Sequence, residues 1–537
     1  MKVGCDCEDG VVEVDLLGRP AVPGFVASHE HLAHEGLHLT HLNFFPDPER
    51  MGSKAAAADL IRRYAEQLRE RDMAAGSYDP ARNAWVQGYN WDNHAAGFED
   101  VTRAELDALC PDYPLKIYHT SLHRIYFNSK AMERMPHDVF DGMEDPAEGQ
   151  FLREADGRTL TGVADEHACH LINRNIPHEA DYAQKIALAG LRFAAKGVTS
   201  VYDAYSWDHF AEELHAALLR HGGEKHPPFP VRVGMYFGEV SRLVPSNVEP
   251  SPWLRGLGRK FVLDGGLLIR TGALKEDYHD RPGWRGELRD PEAKRQRIID
   301  FHAQGVQMAI HTNGDAAVDW TLDVLQEAQR QHPRSDARHR LEHVQIISEE
   351  QLARMAQMGV MANFFISHVF YFGDRHRLQF FGPRRAHRIN PLRSALAHRV
   401  QFAVHNDNPV TPLNPLHSMW IASSRITRAG VPLGPDQRIT PSQALRAYTI
   451  DAAYQAFEDH LKGRLAVGRY ADFVVLSHNP LALPVPLLKD VALHMTVQGG
   501  HVTYTDHSIP VPAPLSFWAR YLQSFQQSHP DFFLSHN

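Results

Sequence analysis

His29 and His31 stand two residues apart at the end of an apolar run, VPGFVASHEHL, where side chains could first do chemistry together. On an extended strand, residues i and i+2 point to the same side, so two imidazoles can share one metal ion. A histidine-rich chain produces such pairs by accident, so this one needs partners. They follow in order. His311 in AIHTNGD, His343 in RLEHVQ and Asp407 in VHNDNPV each lie at or just past the end of a separate apolar run. Singly, each has a structural explanation, His311 and Asp407 as helix caps and His343 as a hydrogen-bonded core residue. Gathered at one face, the four imidazoles and the carboxylate are a donor set for a divalent cation.

Parallel strands would gather them. VRVGMYFGEV, KFVLDGG, VQMAIHTNGD, RLEHVQII, VMANFFISH and VQFAVHNDNP are short apolar runs, and helical patterns such as AAVDWTLDVLQEAQRQ and SEEQLARMAQMG alternate with them. Repeated strand, turn and helix make an α/β fold with a parallel sheet or barrel, whose strands are apolar throughout because both faces are covered. In a (β/α)8 barrel functional residues collect at the C-terminal strand ends, where His311, His343 and Asp407 fall. Residues around 50–190 break the rhythm with polar helices and loops, which reads as an insertion over the active-site mouth. KGRLAVGRYADFVVL and MTVQGGHVTYTD are short strands with glycine-bearing turns. The expected organisation is a barrel over 23–465 and a small β domain from 1–22 and 466–537. LSFWARYLQSFQQ is amphipathic, and with one Arg on its polar face it reads as a packing or homodimer helix, not a membrane anchor.

Composition removes other classes. The 537 residues, 43% hydrophobic, can bury a large core. Lys plus Arg number 56 against 65 Asp plus Glu, a net charge of -9, so there is no basic excess to follow a nucleic-acid backbone. No window approaches the roughly 18 uninterrupted apolar residues of a membrane span, and MKVGCDCEDG lacks the features of a secretory signal. A cytoplasmic protein is expected. Cys5, Cys7, Cys110 and Cys169 are too few and scattered for a disulfide framework, and the Cys5–Cys7 pair reads as a surface loop.

The residues also carry a resemblance. PGFVASHEH, KFVLDGG, HTNGDAAVD, RLEHVQ, NDNPVTPLNPL and KGRLAVGRYADFVVL resemble, in that order, the motif series of the metal-dependent amidohydrolase superfamily. The branch most similar is the amidohydrolase-3 type, which includes N-substituted formamide deformylases. The resemblance implies a TIM-like (β/α)8 barrel with a small β-sandwich formed from both chain termini. It implies His29, His31, His311, His343 and Asp407 as metal and catalytic residues, and Lys260 in RKFVLDGG as a lysine whose carbamate bridges two ions. Only a neutral amine reacts with CO₂, so that lysine needs a depressed pKa. The cofactor expected is a divalent metal, zinc foremost, as one or two ions. His123, Glu166, Asp264, Arg270 and His368 match places that face the active site and are expected to contact substrate. The chain departs from the pattern at His405 and Asn406, where small residues are usual, and at Phe365-Ile366 before His368. Both departures alter the pocket wall.

The expected function is hydrolysis of a non-peptide C–N bond in a small amide, formamide or cyclic amide. The ion activates water, Asp407 accepts its proton and returns it to the departing nitrogen, and His343 binds a second ion or the substrate carbonyl. One alternative is deamination of a nitrogen heterocycle, for which an HxxE acid is usual, but the residues after His311 read Thr-Asn-Gly. Another is a non-catalytic metal-binding or regulatory barrel, against which the retained Asp407 argues.

Overall fold

Eight largely buried strands line up in parallel in chain order: β1 (Phe25–Glu30), β2 (Val198–Ser206), β3 (Arg232–Gly238), β4 (Leu254–Val262), β5 (Gln307–Thr312), β6 (Arg340–His343), β7 (Met361–Phe364) and β8 (Phe402–Val404). The computed structural model describes residues 2–3, 12–46, 51–79, 83–95, 98–136, 145–146, 148–177, 181–221, 229–248, 250–512 and 515–528. Cys5 and Cys7 lie outside them, while Cys110 and Cys169 are buried free thiols. Every position of β1, β3, β5, β6 and β7 is buried, as strands covered on both faces require. The sheet curls into a nearly closed barrel. Its two edges are joined by the His31 N–H to the Asn408 carbonyl, 3.0 Å, and by the Ser28 hydroxyl, 3.4 Å from the Val404 carbonyl; the same hydroxyl is 2.8 Å from Asn363 Oδ1 on β7.

Strand β2 escapes a reading based on apolar runs. Its sequence, VTSVYDAYS, alternates apolar residues with Thr199, Ser200 and Asp203, yet those polar side chains are buried. Asp203 accepts from the Ala33 N–H at 3.1 Å and the Ser206 hydroxyl at 2.7 Å, and those bonds permit its burial. The helices obey simpler rules. Asp315–Gln331 buries Ala317, Val318, Thr321, Leu322, Val324, Leu325 and Ala328, a stripe at helical spacing. Glu349–Met358 starts with a Ser348/Gln351 capping box and ends at Gly359, whose φ of 64° is the left-handed conformation that suits glycine.

Ala21–Pro23 pairs with Phe473–Leu476, followed by Leu493–Gln498 and His501–Thr505, in a four-stranded antiparallel sheet assembled from both ends of the chain. Its core unites Phe473, Val475, Met495, Val497 and Val502 with Val14 and Leu16. The terminal helix Phe517–Ser528 follows, with Trp518 buried. No helix of the described residues is long and apolar enough to cross a membrane.

The chain divides into two compact units, one of Met1–Gly36 with Asp181–His529 and another containing Leu37–Ala180. The second unit is more than polar helices and loops. It holds a six-stranded mixed sheet in the order Leu42–Asn43, Val86–Trp91, Leu115–His119, Arg124–Phe127, Leu160–Glu166, Gly149–Arg153, and its own core, with Ile61, Leu68, Trp91 and Tyr126. The shortest strands, two to five residues, give too little periodicity to be read locally.

Candidate metal centre

His29 leaves β1 and His31 follows it, and both turn Nε2 toward one oxygen, Asp407 Oδ1, at 3.1 and 3.2 Å. His343 closes β6, with Nδ1 3.8 Å from Asp407 Oδ2. One donor atom each from His29, His343, His405 and Asp407 lies within 4.8 Å of every other. Among the described residues this buried group has the spacing of a metal site.

The polar atoms here fit a cation. Glu342 accepts a short hydrogen bond from His29 Nδ1, which leaves the Nε2 lone pair facing an oxygen of Asp407. Two acceptors in that position need positive charge between them. His29 Nε2, His343 Nδ1, Asp407 Oδ1 and both ring nitrogens of His405 are buried with no hydrogen-bond partner, a density of orphans that native interiors do not tolerate unsatisfied. Burial drives the His343 and His405 imidazoles well below the usual histidine range, so they are neutral, the form that ligates metal.

Charged groups beneath the site hold it. Arg340 and Glu342, two apart on β6, share the barrel interior: the guanidinium bonds Glu342, and Nη2 reaches the Ser28 carbonyl at 2.6 Å. Burial works against an ionised Glu342, but Arg340 and His29 outweigh it and hold the carboxyl well below its ordinary value. Asn363 adds a bond to Glu342 at 3.0 Å. Lys260 on β4 is buried, and burial pushes its ammonium down to about 8, against the opposing pull of Glu342 and Asp407.

The Asp407 loop is tied at several points. Asn406 Nδ2 donates to Ser367 Oγ at 2.8 Å and Ser418 Oγ at 2.9 Å, while its Oδ1 accepts from the Tyr448 hydroxyl at 2.9 Å. Glu30 accepts the backbone N–H groups of Asn406 and Asn408. These bonds hold Asp407 at a φ of 56°, and His343 has 71°, left-handed values that cost a non-glycine residue about 1–3 kcal/mol. Both strained residues belong to the donor cluster.

The remaining sequence candidates fall into distinct settings. His311 packs its ring 4.5 Å from that of His343, and its Nδ1 is 2.8 Å from Asp264 Oδ1. Asp264 also accepts the N–H groups of Ala273, Asn313 and Gly314, so its carboxylate orients His311 and the turn after β5. Arg270 is ion-paired with Asp280, its Nε 3.0 Å from Oδ2. His368 Nδ1 meets His376 Nε2 at 2.9 Å, and its ring packs 4.3 Å from Phe365. His123 and Glu166 belong to the second unit, where Nδ1 and Oε2 are 2.6 Å apart.

Sequence reading missed Glu342, Arg340, Glu30 and Asp203, and took His405 only as a change in the pocket wall. One signal was available. Opposite charges two apart on a strand buried on both faces must pair in the interior, and RLEH has that form.

The sequence model of the amidohydrolase family matches residues 12–504, nearly the whole chain. The chain belongs to the amidohydrolase family. It is 28% identical over 494 residues to Protein LONG AFTER FAR-RED 3 of Arabidopsis thaliana, an alignment covering 88% of this chain and 80% of that protein. It is 26% identical to the putative amidohydrolase YtcJ of Bacillus subtilis, covering 92% and 90%. The N-substituted formamide deformylase of Arthrobacter pascens is 27% identical, with 91% and 89% covered. A crystal structure of an uncharacterized metal-dependent hydrolase from Pyrococcus horikoshii shares the fold, with a TM-score of 0.66 at 22% identity, covering 88% of this chain and 89% of that one. Within this amidohydrolase frame, the barrel-end histidines and Asp407 form a buried group able to bind metal.

Proposed function

We propose that this amidohydrolase cleaves the non-peptide C–N bond of a small amide, formamide or cyclic amide with water. The observation that carries the proposal is Asp407 Oδ1, buried, without a hydrogen bond, and 3.1 and 3.2 Å from two imidazoles. A divalent ion, zinc foremost, held by His29, His343 and Asp407 with His31 and His311 beside them, would polarise the carbonyl and lower the pKa of water toward about 7.

Asp407 supplies the proton transfer. Its carboxylate takes the proton of the attacking water and delivers it to the departing nitrogen, without which an amine is a poor leaving group. Glu342 fixes the His29 tautomer, and Asp264 does the same for His311. Lys260, pushed down to about 8, has an appreciable neutral fraction near that pH and is positioned by burial to form a carbamate with CO₂. The rings of Phe365, His368 and Phe372, 4.3 and 4.8 Å apart in succession, give the substrate substituent an aromatic wall. A 27% identical relative named for formamide deformylation supports the choice of bond.

The test is product analysis on protein stripped of metal and reloaded with zinc. N-substituted formamides, linear amides, cyclic amides, esters and aminated heterocycles form the panel. The expected products are an amine and a carboxylate from an amide or formamide, or the ring-opened amino acid from a cyclic amide. Ammonia from the heterocycles with every amide intact would make the protein a deaminase. No turnover across the panel would favour a binding protein.

A further inference from the structure

His405 sits one residue beyond β8, with no exposed surface, and neither ring nitrogen has a hydrogen-bond partner. Its ring stacks on His29 with centroids 4.5 Å apart and planes at 26°, and on Phe365 at 4.9 Å and 26°. A histidine that served only to fill space would leave two polar atoms unsatisfied in a dry interior, where phenylalanine would not. The adjacent Asn406 shows what a polar residue with a structural role does here: it bonds Ser367, Ser418 and Tyr448. His405 does none of this. Instead, one of its nitrogens lies within 4.8 Å of donor atoms from His29, His343 and Asp407.

We propose that His405 is itself a ligand of the ion, so that the segment just past β8 supplies His405 and Asp407 just as the end of β1 and the residue after it supply His29 and His31. This rests on the metal-centre reading and goes beyond the donor set that the motifs indicate. Each edge of the barrel then contributes a pair of donors spaced by one residue. The bonds that join those edges, Glu30 to the Asn406 and Asn408 amides and His31 to Asn408, hold the two pairs against each other.

The experiment titrates metal-free protein with Co(II), for wild type, His405→Ala and His405→Gln. Three quantities are read: affinity by chelator competition, the Co(II) visible spectrum, and the thermal midpoint of the metal-free form. Loss of a ligand should weaken Co(II) binding by roughly 100-fold or more, beyond the 10–100-fold that loss of an outer-shell partner costs. The spectrum should change in both variants, and free imidazole should restore it in His405→Ala. The metal-free midpoint shows whether each variant is folded, since Ala leaves a cavity and Gln a buried amide. If Ala disturbs folding, the longer polar Gln carries the comparison. Wild-type affinity and spectrum in the folded variant, or a wild type that takes up no Co(II), would overturn the assignment. A wild type that binds Co(II) through His405 but cleaves no C–N bond would refute the hydrolysis reading alone. Amide cleavage with His405→Ala binding Co(II) normally would refute only the ligand.

Discussion

Between His29 Nε2 and Asp407 Oδ1 there are 3.1 Å, and the proton on the His29 ring is directed the other way, at Glu342. That opposition of lone pairs is what a cation would relieve, and under the proposed function Asp407 serves as both a ligand and a base. Asp407→Asn should lower kcat by about 10²–10⁴-fold, the range of a lost general acid–base group, while circular dichroism stays native. A turnover number within a few-fold of wild type would remove Asp407 from the chemistry. Glu342 has a separable role. Glu342→Leu leaves the Arg340 guanidinium buried and unpaired, and should destabilise the fold by about 3–5 kcal/mol in urea unfolding. The pair Arg340→Met with Glu342→Leu should recover much of that loss. An equal loss in single and double variants would show that charge pairing is not the cause.

At the scale of elements, the site is a property of strand ends. The donors come from β1, β6 and the loop after β8, and the parallel register brings His311, Glu342 and Asn363 level on β5, β6 and β7. The placement of His29, His311, His343 and Asp407 at strand ends was legible; Glu342 and Asn363 were not. The runs ending in His29, His311 and Asp407 are largely apolar because both faces are covered, and the polar groups proposed for the chemistry stand where the strands stop. Strand β2 was not legible, because Asp203 and Ser200 are satisfied in large part by partners distant in sequence, the Ala33 N–H and the Lys462 ammonium. The Asp407 loop was half legible. NDNPV marks a turn, but nothing local shows that Asn406 must bond Ser367, Ser418 and Tyr448 to aim it. Asn406→Ala should destabilise the protein by about 2–4 kcal/mol, since it removes the acceptor of the buried Tyr448 hydroxyl as well as losing its own bonds to Ser367 and Ser418. It should also weaken metal binding, read by the same chelator competition. A stable variant with wild-type affinity would mean the loop is set by Glu30 alone.

For the whole molecule, the 35 histidines carry a cost in acid. His343, His368 and His405 are held well below the ordinary range by burial, and burial pushes His376 down to about 3. In the unfolded chain these imidazoles protonate near about 6.5, so below that pH the unfolded state binds protons that the folded state refuses. Stability of the metal-free protein therefore rises with pH through this window and falls on acidification, by about 1.4 kcal/mol per pH unit for each such histidine. His376→Gln should flatten the urea midpoint's dependence on pH between 6.5 and 3; an unchanged slope would mean that His376 takes its proton while folded. The composition announced the histidines, and only the fold separates the few at the barrel mouth from the rest. Whether those few hold an ion is answered most directly by a crystal of the zinc-loaded protein, measured across the zinc absorption edge. The anomalous peak should lie within about 2.0–2.2 Å of His29, His343 and Asp407 donor atoms. A peak elsewhere, or none in protein that hydrolyses amides, would contradict the metal centre described above.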